Sequence, residues 1–249
     1  MQVVINDQII NYDMSGSGKT VVLVHGWADS LATFYDLKSS LSKNYEVVSL
    51  DLPGFGQSSM ISEAWGLDEY SKFLADFVKK LKLEVYCYIG HSNGGAILIN
   101  GLSSSKLSAK KLVLLSSAGI RNQKKVKKQI LKVAAKSGKA VTAILPSNTR
   151  DSIRKRFYGA IGSDLLVSPH MEETFKRVVE QDVQVQAKKI KMPALLIYGN
   201  EDSATPPEFG ETFTDLIAGS RLFRIDHAGH FIHHDQPAHV KKLIEDFLK

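Results

Sequence analysis

The stretch Gly90-His91-Ser92-Asn93-Gly94-Gly95 lies between an apolar strand-like run, Val85 to Ile89, and an apolar helix-like run, Ala96 to Leu102. A Gly-x-Ser-x-Gly string in a strand–turn–helix setting makes a sharp turn that presents the serine hydroxyl. Glycines at 90 and 94 let strand and helix approach closely, and the serine between them is held in a strained backbone conformation. At average glycine and serine usage such a string arises by chance roughly 0.1 times in a chain of this length. Its flanks and its partners therefore decide its meaning.

Working outward, Gln2 to Asn6 and Gln8 to Tyr12 predict an antiparallel hairpin turning at Asn6-Asp7. Val21 to Val24, Val47 to Leu50, Val85 to Ile89, Leu112 to Leu115, Ala194 to Tyr198 and Arg221 to Ile225 read as strands buried on both faces. Helical spacing lies between them, at Phe34, Leu37 and Leu41, over Tyr70 to Leu81, and from about Ala238 to Leu248. This alternation predicts an α/β fold, a mostly parallel eight-stranded sheet covered by helices on both faces. The rhythm breaks from 120 to 190, which reads as a helical insertion after the sixth strand. Residues 1–119 and 191–249 then form the core.

The 249 residues suffice for one well-buried domain with an insertion. Composition is ordinary, 43% hydrophobic and 23% charged. No apolar run reaches the length of a membrane span. Met1 to Asn6 lacks the basic and apolar regions of a signal peptide, and Cys87 is the only cysteine, so a reducing, cytoplasmic location is expected. With no zinc-type Cys/His spacing, phosphate loop or G-x-G-x-x-G, no cofactor and no metal are expected.

A serine hydroxyl needs a base, and the base an orienting acid. In a doubly wound sheet reactive groups gather at the carboxyl ends of strands. Asp202 follows the run ending at Tyr198, with Glu201 and Asp226 as rivals; His230 follows the run ending near Ile225, with His227, His233 and His234 as rivals. The four clustered histidines also raise a metal site, but no acidic or thiol ligands are spaced to complete it. His25 and His91 are read as packing beside the site, and strand alternation points His91 away from Ser92. Cys87 is read as core, and Trp65 belongs to no motif.

Four further motifs accompany the turn: Val24-His25-Gly26-Trp27, Asp51-Leu52-Pro53-Gly54-Phe55-Gly56-Gln57-Ser58, Tyr198-Gly199-x-x-Asp202-x-x-x-Pro206, and Gly229-His230-Phe231 with Gln236-Pro237 behind it. Together they make the chain resemble the α/β-hydrolase superfamily over nearly its whole length. The resemblance implies Ser92 as nucleophile, His230 as general base and then acid, Asp202 as orienting carboxylate, and the backbone N–H groups of Trp27 and Asn93 as oxyanion hole. The insertion would be the family's variable lid. Serine at 92 argues against the relatives that use aspartate there. The expected activity is carboxylic ester hydrolysis. Carbon–carbon bond hydrolysis, thioesterase or acyltransferase chemistry, and a slow receptor-like hydrolase remain alternatives.

Residues 121–156 hold twelve Lys and Arg against one acid, Asp151, so a mildly acidic body carries one strongly basic segment. Val126, Ile130, Val133 and Ala134 fall near one helical face of it, as in a solvated amphipathic lid helix. The expected partner is a small ester or acyl substrate, with an anionic substrate, an acyl-carrier protein or a membrane surface as candidates for the basic face. Nucleic acid is not expected, because no recognised module accompanies the charge.

Overall fold

The computed structural model describes residues 1–121 and 169–249. Strands β1 (Gln2–Ile5), β2 (Gln8–Ser15), β3 (Thr20–Val24), β4 (Glu46–Leu50), β5 (Val85–His91), β6 (Lys111–Leu115), β7 (Ala194–Gly199) and β8 (Arg221–Ile225) form one sheet in the order β1-β2-β4-β3-β5-β6-β7-β8. The β1–β2 and β2–β4 pairs are antiparallel and every other pair is parallel. Asn6 and Asp7 both take positive φ, 46° and 63°, which closes the first hairpin with the twist that adjacent strands need.

Burial alternates across the sheet. Val22, Val24, Tyr88, Leu112 and Leu114 face helices α2 (Leu67–Lys80) and α3 (Asn93–Ser103). Val21, Leu23, Cys87, Ile89 and Val113 face α1 (Tyr35–Leu41) and α8 (Pro237–Leu248). With both faces covered, β3 is buried at all five positions, which is why it reads as a continuous apolar run. The eight expected strands are all present.

Two of them differ in detail. β2 runs on to Ser15, because Asp13 to Ser15 pair with Val47 to Ser49 of β4. β8 is not buried on both faces as its run suggests: it is an edge strand, with Ile225 alone fully buried. An edge strand lacks a neighbour on one side, and the charges of Arg221 and Arg224 suit that exposure.

The expected insertion begins after β6. Its residues 122–168, with nearly all of the basic segment 121–156, lie outside the described residues. Its end comprises α4 (Pro169–Glu180) and α5 (Gln184–Ala187), both seated on the core. The Met171 sulfur packs over Gly54, where an added Cβ would come within 2.7 Å of it. The Trp65 N–H donates to the Thr174 hydroxyl at 2.9 Å, and the Leu67 N–H to Gln181 Oε1 at 2.7 Å. The Trp65 ring meets Tyr70 edge-to-face and Phe73 at a tilt, both on α2. After β7, α6 (Pro207–Leu216) leads to β8, and the short α7 (Ile232–Asp235) precedes α8. Among the described residues no helix is long and apolar enough to cross a membrane.

The α4 anchorage is testable. Thr174→Val keeps the shape of a fully buried side chain but leaves the Trp65 N–H without an acceptor. A partly buried donor left without its acceptor costs up to about 1–3 kcal/mol, so the urea midpoint falls accordingly while the Trp65 amide loses hydrogen-exchange protection.

Candidate active site

The β5–α3 turn sets the site's geometry. Ser92 takes φ 51°, ψ −117°, a strained conformation for a residue with a side chain. Neighbouring groups hold it there: its N–H donates to the Leu115 carbonyl, and its carbonyl accepts from Gly95 and Ala118, each at 3.0 Å. A Cβ at Gly90 would lie 2.7 Å from the Gly95 nitrogen, and one at Gly94 2.2 Å from the Val24 carbonyl oxygen. Both positions therefore require glycine.

β7 delivers Asp202 to the same end of the sheet. Its side chain is buried, and its two oxygens are fully employed. Oδ1 accepts the N–H groups of Ala204 and Thr205 at 2.8 and 2.9 Å. Oδ2 lies 2.8 Å from His230 Nδ1 and 2.7 Å from the Thr205 hydroxyl. Burial pushes the Asp202 carboxyl up, but the hydrogen bonds from His230 and Thr205 together outweigh it and hold the group below the usual carboxylate range.

His230 joins the two. Facing a carboxylate, Nδ1 carries the proton, which leaves Nε2 bare to accept from the Ser92 hydroxyl at 2.9 Å. Ser92, His230 and Asp202 thus form one continuous row of hydrogen bonds. The rivals stand elsewhere. Glu201 sits 3.5 Å from the exposed His227, Asp226 accepts from the Asn200 amide, and His233 and His234 both meet the Thr33 hydroxyl. Thr205 escaped the sequence reading. Its hydroxyl lies 2.9 Å from the Ser116 carbonyl as well, so its one proton is shared between that oxygen and Asp202 Oδ2, and it lies 3.1 Å from His230 Nδ1. Its signal was its place three residues after Asp202 and just before Pro206, inside the quoted loop.

The N–H groups of Trp27 and Asn93 donate to no acceptor among the described residues. The Trp27 ring packs against Phe55 and, from α4, Phe175. His25 is structural. The Leu52 N–H donates to its Nε2 at 2.9 Å, so its proton sits on Nδ1 and goes to the Gly26 carbonyl at 2.7 Å. Asp51 ties three segments together, accepting from the Leu31 N–H, the Asn11 amide and the Gln57 N–H at 2.7–2.8 Å. His91 donates from Nε2 to the His230 carbonyl at 2.9 Å. Cys87 is buried in β5, and burial pushes its thiol up. Among the described residues no group of three or more His, Cys, Asp or Glu is arranged to hold a metal ion.

A family model described as the alpha/beta hydrolase fold matches residues 19–237. The chain belongs to this family. As an α/β-hydrolase it is a hydrolytic enzyme. It is similar to "Uncharacterized hydrolase YugF" of Bacillus subtilis, 27% identical with 93% of this chain and 90% of that one covered. It is also similar to "2-hydroxy-6-oxo-6-(2'-aminophenyl)hexa-2,4-dienoic acid hydrolase" of Metapseudomonas resinovorans, 26% identical over 95% of this chain and 86% of that one. Among solved structures, an esterase from Exiguobacterium antarcticum shares the α/β-hydrolase fold with a TM-score of 0.81 at 22% identity, over 99% of this chain and 98% of that one.

Burial holds the imidazoles of His25 and His91 below their ordinary range, His91 well below it, and pushes His233 down to about 3. Each is neutral when folded but takes a proton near pH 6.5 when unfolded. Below that pH the unfolded chain binds more protons, so stability falls with pH. Each histidine contributes at most about 1.4 kcal/mol per pH unit below about 6.5, for His233 down to about 3. Asp202, held low, adds loss of the same sign only below about pH 4. Thermal melts from pH 8 to pH 5 should show a flat Tm that drops steeply below about 6.5; a Tm unchanged at pH 5 would contradict the buried neutral state.

Proposed function

We propose that this α/β-hydrolase cleaves a carboxylic ester through an acyl-enzyme on Ser92. The observation that carries this reading is the single imidazole of His230, bonded to Ser92 Oγ at 2.9 Å and to Asp202 at 2.8 Å. Ser92 Oγ attacks the ester carbonyl while its proton passes to His230 Nε2. His230 returns that proton to the departing alcohol, and water, activated by the same imidazole, then breaks the acyl–serine bond and releases the acid. Asp202 keeps the Nδ1–H tautomer and stabilises the imidazolium. The free N–H groups of Trp27 and Asn93 act as the oxyanion hole, where each donor stabilises the tetrahedral intermediate by about 3 kcal/mol. Both are main-chain donors, so the side chains at 27 and 93 are not constrained by this task.

In this reading 1–119 and 191–249 are the catalytic core and 120–190 the lid. The seating of α4 beside Trp27 through Phe175 supports that division. The single buried cysteine supports action in a reducing compartment, the cytoplasm. The basic segment would recruit an anionic substrate, an acyl-carrier protein or a membrane surface.

A second reading has a specific support. The named substrate of the Metapseudomonas relative carries a ketone and no ester, so its hydrolysis breaks a carbon–carbon bond. The same serine, base and oxyanion donors can serve that reaction.

A fluorophosphonate probe should label folded protein at Ser92, read by peptide mass spectrometry, and Ser92→Ala should lose about 10⁴-fold or more of kcat on short esters. Labelling at another residue, or ester turnover that survives Ser92→Ala, sinks the proposal. Turnover of a 6-oxo-dienoic acid in preference to p-nitrophenyl esters favours the second reading.

A further inference from the structure

We infer that His91 is a positioning residue for His230, its Nε2–H fixing the main-chain carbonyl of the residue that carries the reacting imidazole. The inference rests on the proposed roles of Ser92, His230 and Asp202. His91 ends β5, directly before the turn, and is 1% exposed. Its Nε2 lies 2.9 Å from the His230 oxygen. A carbonyl only accepts, so Nε2 carries the proton and Nδ1 is bare.

Nδ1 is buried with no partner among the described residues. A Cβ on Gly26 would stand 3.1 Å from it, so that edge of the ring lies against the turn leading to Trp27. One ring, at the end of the strand that leads into Ser92, therefore touches the loop of His230 and the segment that offers the Trp27 N–H. An unpaired buried polar atom costs about 1–3 kcal/mol, a cost that an apolar ring of similar size avoids. Packing alone thus does not account for a histidine here; the donor at Nε2 does.

The surroundings also select a neutral donor. The titratable groups facing the ring are His230 at 4.8 Å and His233 at 4.9 Å between centroids, with His25 from the end of β3, while Phe231 covers it at 5.0 Å. During turnover His230 becomes positive. A lysine or arginine at 91 would supply a donor but oppose that charge, and an uncharged imidazole does not.

Removing the bond frees the His230 backbone, and displacement of a reacting group by about 1 Å typically costs about 100-fold in rate. The test compares His91→Leu and His91→Gln on a short ester, with folding of each variant checked by circular dichroism. His91→Leu has no donor; the glutamine amide N–H reaches about as far as Nε2. The expected result is a kcat about 10- to 100-fold lower for His91→Leu with KM within about 2-fold, a similarly slower fluorophosphonate labelling of Ser92, and recovery of most of the loss by His91→Gln. If His91→Leu does not fold, His91→Asn, polar but too short to reach the carbonyl, replaces it. A donor-less variant with kcat within about 2-fold of wild type, or Leu and Gln variants equally impaired, overturns the inference. His230→Ala, assayed alongside, separates the two levels: normal turnover by that variant overturns the proposed function itself, without involving residue 91.

Discussion

The hydrogen of Gly94 faces the Val24 carbonyl at a separation that admits no carbon, since a Cβ there would stand 2.2 Å from the oxygen. On this close approach of α3 to the end of β3 the rest depends. It lets the chain reverse from β5 into α3 within one residue, Ser92, and forces that residue to positive φ. It brings the N–H of Asn93, at the start of α3, to the same end of the sheet as the N–H of Trp27, three residues beyond β3. The strain at Ser92 is held by three backbone hydrogen bonds to neighbouring strand and loop atoms, so the cost is met by the surrounding sheet rather than relaxed by local movement.

Electrostatics complete what sterics begin. Asp202 is buried, yet its carboxylate is satisfied four times over, by two N–H groups, one hydroxyl and one imidazole. That saturation keeps it ionised in spite of burial and fixes the His230 tautomer, which in turn leaves Nε2 bare opposite Ser92. On the far side of His230, His91 and His233 are kept neutral by burial, and so is His25 beyond His91. The ring that changes charge in the proposed reaction therefore has one anion beside it and no fixed cation among these neighbours.

Much of this was legible in the sequence, and unevenly so. The parallel strands announce themselves because burial on both faces leaves uninterrupted apolar runs such as Val21 to Val24. The turn at Ser92 and the loops of Asp202 and His230 are marked by glycines and by their places after strands, and the structure brings those three side chains into hydrogen-bonding contact. What was hidden depends on partners distant in sequence. Asp13 to Ser15 have no strand-like composition and extend β2 only because β4 lies alongside. The edge position of β8 follows from sheet order, which periodicity does not encode. Thr205 meets Asp202 through its N–H and its hydroxyl, His91 meets the His230 carbonyl through one ring N–H, and bonds of that kind leave no periodic trace. Trp65, without a motif, packs its ring on α2 and ties its main-chain N–H to Thr174 of α4.

The bond between Ser92 and His230 joins residues 138 positions apart. As the chain is synthesised, the strained turn can be complete long before its proposed base, His230, exists, and Asp202 too emerges well after the serine. In the proposed mechanism a nascent chain thus carries an unactivated hydroxyl until the loop that follows β8 has folded against it. On the proposed roles, the serine is armed only once the segment that carries His230 has been made, so a product truncated before it can hold most of the core and still lack its base.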